Sequence, residues 1–140
     1  MIRETNTWLK KLADDHHLGD RPHAYNALCA VLHVLRDRLT PEQAVHLGAQ
    51  LPTLVRGIYY EGWRLAGKPT NERQPDEFAK RVAAQLPPQF PRDALSVTKA
   101  VFDLLGKELD PGETMKVTRE LPVPLRALWP DLTRPSTSQL

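Results

Sequence analysis

The residues whose types and spacing best suit chemistry stand between positions 56 and 64. Tyr59 and the run Tyr60-Glu61-Gly62-Trp63 combine aromatic rings with a carboxylate, and Arg56 and Arg64 lie close by. Aromatic rings and arginines offer large contact areas with polar tips, the side chains that dominate protein-binding surfaces. Tyr60, Glu61, Trp63, Arg56 and Arg64 therefore form the candidate interaction surface. The competing reading is packing, because large aromatics tend to be buried. Arg56 has the same ambiguity. It could hold a ligand, or its stem could lie on the core while its head pairs with a carboxylate or with helix-end carbonyls.

Other clusters are weaker. Cys29 and His33 are four residues apart, the spacing of a two-ligand face on a helix. His16, His17 and His23 lie near a helix end, with Asp14, Asp15 and Asp20 close by. Neither group has a metal spacing such as HExxH or paired CxxC. The plainer reading is solvated histidines and a small buried cysteine. A nucleophilic Cys29 would need an electropositive, accessible setting, and it sits in the middle of an apolar helix. The sequence lacks GxSxG, a P-loop and a Rossmann glycine pattern. No catalytic residue, metal ligand or cofactor is therefore assigned, and the expectation is a non-enzymatic protein.

Composition narrows the partners. The 140 residues carry 19 basic and 17 acidic side chains, a formal charge of +2 that makes a poor case for nucleic acid or an anionic membrane. An apolar fraction of 41% is ordinary for a globular chain. A single cysteine excludes an internal disulfide and suits a reducing, cytoplasmic setting. The N-terminal residues carry charge where a signal peptide needs an apolar run. No apolar stretch approaches the roughly 20 residues of a membrane span.

The elements that must position the run repeat. Shifted by 70 residues without a gap, Trp8 falls on Phe78, Leu12 on Val82, Val31 on Val101 and Leu35 on Leu105. Pro41 then falls on Pro111, Leu51-Pro52 on Leu121-Pro122, Arg56 on Arg126 and Tyr59 on Trp129. Each unit reads as four helices. The first unit has helices at about 6–16, capped by Asn6, and at about 22–38, with Tyr25, Leu28, Val31, Leu32, Leu35 and Leu39 on a buried stripe. A third starts at Thr40-Pro41-Glu42-Gln43, a capping box with proline at the first helical position. A fourth runs from Pro52 to a stop at Gly62. The second unit places them at about 75–86, 93–108, 111–120 and 122–129. Residues 64–74 read as a polar linker and 131–140 as a frayed tail.

The stretch Gln50-Leu51-Pro52-Thr53-Leu54-Val55-Arg56-Gly57-Ile58-Tyr59-Tyr60-Glu61-Gly62-Trp63 resembles a bacterial family catalogued only as a domain of unknown function. Ala24-Tyr25, the run from Leu35 to Ala44, and Leu125-Arg126-Ala127-Leu128-Trp129-Pro130 fit the same resemblance. It implies a small helical protein and carries no assigned activity or catalytic residue. The second unit departs from the motif, since Trp129-Pro130-Asp131 replaces the Tyr-Glu-Gly-Trp run.

The sequence thus predicts an all-α protein, a tandem duplication of a four-helix, 70-residue unit with pseudo-two-fold packing. Residues 1–70 form the first unit, 71–130 the second, and both share one globular domain. The expected role is a protein-interaction module that binds a protein partner or itself. The alternatives are a helical nucleic-acid binder, and a sensor or enzyme with a pocket near Glu61. Within the run, Trp63 is expected to pack along the linker and the second unit, Glu61 to pair with an arginine, and Tyr60 to be the most exposed.

Overall fold

The structure is a computed structural model that describes residues 2–130. The expected tail at 131–140 lies outside the described residues. All regular elements among them are helical: α1 (Ile2–Asp15), α2 (Arg21–Arg38), α3 (Pro41–Gly48), α4 (Thr53–Tyr60), α5 (Pro75–Gln85), α6 (Ala94–Glu108), α7 (Pro111–Glu120) and a 3-10 helix, η1 (Val123–Leu128).

Local sequence sets most boundaries. The Asp20 side chain accepts from the His23 N–H and starts α2, with Pro22 inside the first turn. Thr40 and Gln43 close a reciprocal capping box ahead of α3, with Thr40 N–H on Gln43 Oε1 at 3.0 Å. Asp93 caps α6 through the Ser96 N–H at 3.0 Å. Two expectations are corrected here. Asn6 is not a cap, because α1 begins at Ile2 and Asn6 lies inside it, accepting from Arg21. The last element is a 3-10 helix, its turn closed by an i→i+3 bond from Leu125 N–H to Pro122 O at 2.9 Å. Pro124 explains this: it has no N–H to give and disfavours α conformation at Val123 before it.

Helices α2 and α6 lie at the centre. α2 packs on α1, α4, α5 and α6; α6 packs on α1, α2, α5, α7 and η1; α3 meets α4 and α7. Their apolar stripes meet in one continuous core. It contains Leu28, Val31, Leu32 and Leu35 of α2 and Val97, Val101, Phe102 and Leu105 of α6. Trp8 and Leu12 of α1, Phe78 and Val82 of α5, and Tyr59 of α4 close over it. Trp129 stacks on Phe102 with ring centroids 4.2 Å apart. Tyr25 departs from the expected stripe. It is 40% exposed, although it precedes Leu32 by two turns on the same face of α2.

Leu35 and Leu105 are both fully buried. Replacing either with alanine should lower stability by about 2–5 kcal/mol, measured as a shift in the urea midpoint. A negligible shift for either would mean that its stripe does not face the core.

Candidate functional site

The aromatic run begins at the C-terminal end of α4, a helix of eight residues. The last four carbonyls of any α-helix lack intrahelical donors. Here α2 supplies side-chain partners. The His33 Nε2 atom lies 2.6 Å from Ile58 O. Buried Arg36 donates through Nη1 to Tyr59 O at 3.0 Å and to Glu61 O at 2.8 Å, and its Nε meets Asp37 Oδ1 at 2.8 Å. The chain then turns at Gly62, whose φ of +71° is left-handed backbone that favours glycine.

Arg56 works in the same way on α3. Its Nε donates to Gly48 O at 2.8 Å, and its Nη2 to Ala49 O at 3.2 Å and Leu51 O at 2.9 Å. Arg126 repeats this at the end of α7, donating to Leu121 O at 3.2 Å and Arg119 O at 2.9 Å. Of the two readings open for Arg56, helix-end capping describes its contacts.

The rings stack in sequence. Tyr59 and Tyr60 are 5.0 Å apart edge to face, and Tyr60 and Trp63 are 5.4 Å apart with a tilt of 32°. Tyr60 and Trp63 are half-buried against the core. Gly48 permits the approach, since a Cβ there would lie 2.3 Å from the Tyr60 hydroxyl oxygen. The Trp63 Nε1 is buried and has no acceptor among the described residues. Glu61 and Arg64 are exposed, as is Leu65 at 60%. Two expectations therefore need correction. Glu61 is more exposed than Tyr60, and its carboxylate makes no arginine pair among the described residues. The reason is geometric: Arg36 takes the main-chain carbonyl of Glu61 and gives its Nε to Asp37, which leaves the carboxylate facing outward.

The Cys29 thiol is half-buried beside Tyr25, and burial pushes its pKa up, with Glu61 adding to the rise. The thiol is thus disfavoured as a nucleophile. His33, one turn further along α2, lies against the Ile58 carbonyl.

The segment after the run is tied down. Thr70 N–H donates to Asp37 O at 2.9 Å, and Thr70 Oγ1 to Glu72 Oε1 at 2.7 Å. Arg38 Nε donates to Glu72 O at 2.6 Å, and the buried Glu72 carboxylate meets Arg81. Arg36, His33 and Glu72 were not singled out for these roles from sequence. Arg36 and His33 follow α2 at i and i+3, a spacing that could have flagged a shared face. Glu72 sits in a polar stretch with no signal of burial.

A cleft of about 430 Å³ lies elsewhere, between the end of α1, α6 and η1. His16, Arg92, Ser96, Lys99, Asp103 and Trp129 are among the residues that line it.

A family model for uncharacterized conserved proteins matches residues 5–128, spanning every element from α1 to η1. The chain belongs to the DUF2267 family. No curated protein matches it. The capped α4 end, the aromatic run and most of the cleft fall inside the DUF2267 match, while Trp129 and Pro130 fall just beyond it. No helix of the described residues is long and apolar enough to cross a membrane.

Two measurements test this geometry. Trp63→Ala should cost about 1–3 kcal/mol in urea, below the roughly 3–5 kcal/mol of a fully buried tryptophan. A change within about 0.5 kcal/mol would mark Trp63 as a free surface group. The second concerns Tyr59, which is fully buried and donates to Ala44 O at 2.7 Å. Burial is the main cause that raises its pKa far above the ordinary 10.0. Above about pH 10 the unfolded chain therefore releases a proton that the folded chain keeps. This contribution is complete below that pH and is lost as pH rises, by up to about 1.4 kcal/mol per pH unit. Tyr59→Phe should flatten the alkaline fall of the urea midpoint. Cys29 and Tyr25, also raised, act equally in both proteins. Equal slopes would show that Tyr59 ionises freely in the fold.

Proposed function

We propose that this DUF2267 chain is a tandem duplication of a four-helix, 70-residue unit, packed about a pseudo-two-fold axis, and serves as a non-enzymatic protein-interaction module. Several features support the duplication. α3 and α7 start at Pro41 and Pro111, and α4 and η1 at Thr53 and Val123. The contact of α2 with α5 has its counterpart in α1 with α6, while α2–α6 and α3–α7 pair equivalent elements. His46 and Lys116 occupy the same place in the two units, and their Nε2 and Nζ atoms approach to 3.3 Å, as equivalent residues beside a two-fold axis would. Arg56 and Arg126 cap equivalent helix ends. A bacterial, cytoplasmic setting fits the family resemblance and the single free Cys29.

The observation that carries the interaction role is the loop at 61–67. It is clamped before by Arg36 on Glu61 O and after by Thr70 on Asp37 O, yet it presents Glu61, Arg64 and Leu65 to solvent beside the Tyr60–Trp63 stack. Held backbone lowers the ordering cost of binding, and half-exposed aromatics beside an arginine make suitable anchors. Beside the loop, the heads of His33, Arg36 and Arg56 are occupied by main-chain carbonyls.

The test is affinity capture from native lysate, comparing the natural chain with an Arg64→Glu, Leu65→Asp double variant. The natural chain should retain a protein partner that the variant loses by at least tenfold, while the urea midpoint moves within about 0.5 kcal/mol. Capture unaffected by the variant would remove the loop from the interaction. Turnover of a small molecule by the purified chain, abolished by one polar substitution, would replace the module with an enzyme.

A further inference from the structure

We propose that the cleft between α1, α6 and η1 binds a small planar organic anion. This site is separate from the loop at 61–67 and rests on its own observations. With a volume of about 430 Å³, it falls within the range of small-molecule sites. Its apolar wall is formed by Ala100, Leu128 and Trp129, a surface suited to a flat ring.

Its charges do not cancel. Asp103 is satisfied twice, by His16 Nε2 at 3.0 Å and by Lys107 Nζ at 3.0 Å. Asp93, the other nearby carboxylate, is held as the helix cap, accepting from Ser96 N–H at 3.0 Å and Ser96 Oγ at 2.7 Å. Arg92 donates to the His16 and His17 carbonyls, each at 3.3 Å, and the Asp93 carboxylate beside it answers part of its charge. The Lys99 ammonium is exposed at the cleft and has no partner among the described residues. The Trp129 Nε1 is buried without an acceptor there. The lining therefore offers one uncompensated ammonium, with an unpaired indole N–H buried behind it, and the missing counterpart is an anionic acceptor. The same places in the first 70 residues hold Pro22 for Arg92 and Cys29 for Lys99, so the charge belongs to the second unit alone.

The bound group would set its carboxylate or phosphate against Lys99 and Arg92, with its ring along Trp129 and Leu128. The experiment titrates the full chain with four probes: naphthoate, naphthyl phosphate, naphthol and inorganic phosphate. Binding is measured by calorimetry, and the indole N–H signals, assigned through Trp63→Phe and Trp129→Phe, locate it. One or both aromatic anions should bind saturably and move the Trp129 signal, and the tighter of the two identifies the anionic group. Naphthol and inorganic phosphate should each bind at least about tenfold more weakly. Lys99→Met, a change at an exposed site, should weaken the anion by at least about tenfold, and Lys10→Met should not. Added salt should weaken binding as well. The proposal is overturned if neither aromatic anion saturates, if naphthol binds as tightly, or if Lys99→Met leaves the affinity unchanged.

Discussion

Short helices leave a large share of their carbonyls without donors, and this fold depends on side chains that supply them. α3 and α4 have eight residues each, so half of the carbonyls in each lack an N–H from the α-helical ladder, and turn bonds such as Gln50 N–H to Leu47 O meet only part of that need. Arg56 answers for the end of α3; His33 and Arg36 answer for the end of α4. Tyr59 adds a bond from α4 back to Ala44 of α3. An arginine suits this work because its rigid fork reaches two or three carbonyls at once. Without such donors, burial of these ends would cost more than their few apolar contacts return. The aromatic run owes its position to the same bonds, since Arg36 fixes the carbonyls on either side of Tyr60.

The joint between the halves shows a second constraint. Lys11 meets Glu108 in a direct ion pair between α1 and α6. The residues at the matching positions are Arg81 and Arg38, two like charges that would repel. Glu72 resolves the conflict by giving its carboxylate to Arg81 and its carbonyl to Arg38. Burial of Glu72 is tolerable because both its oxygens are occupied, one by Arg81 and one by Thr70. A segment that connects the halves in sequence thus also balances charge between them.

Much of the fold was legible in the sequence because helix starts are local. Threonine or aspartate followed by proline announces α3 and α7 within four residues, and the 3-4 spacing of apolar residues announces the core faces of α2 and α6. The 3-10 form of the last element was less legible, since proline is tolerated in a first α-turn and only the following bonds decide. The site was harder. The direction of Glu61 depends on which group Arg36 selects, the carboxylate or the carbonyl, and both choices look the same in sequence. Tyr25 fits the apolar spacing of its helix, and its exposure depends on which neighbours arrive from elsewhere. Glu72 reads as one more charge in a polar stretch until Arg81 and Thr70 are placed around it. The cleft depends on residues from three distant segments, so no local pattern announces it.

The connection between the halves has one more implication. Its bonds to α2 come from Thr70 and Glu72, on the far side of Gly67, while Arg36 holds Glu61 on the near side. The turn bond from Lys68 N–H to Leu65 O, at 3.2 Å, crosses the Gly67-Lys68 peptide, while both clamps on α2 lie outside it. A chain cleaved there would lose that turn and keep the two clamps, with the covalent tether serving to raise the concentration of one segment near the other.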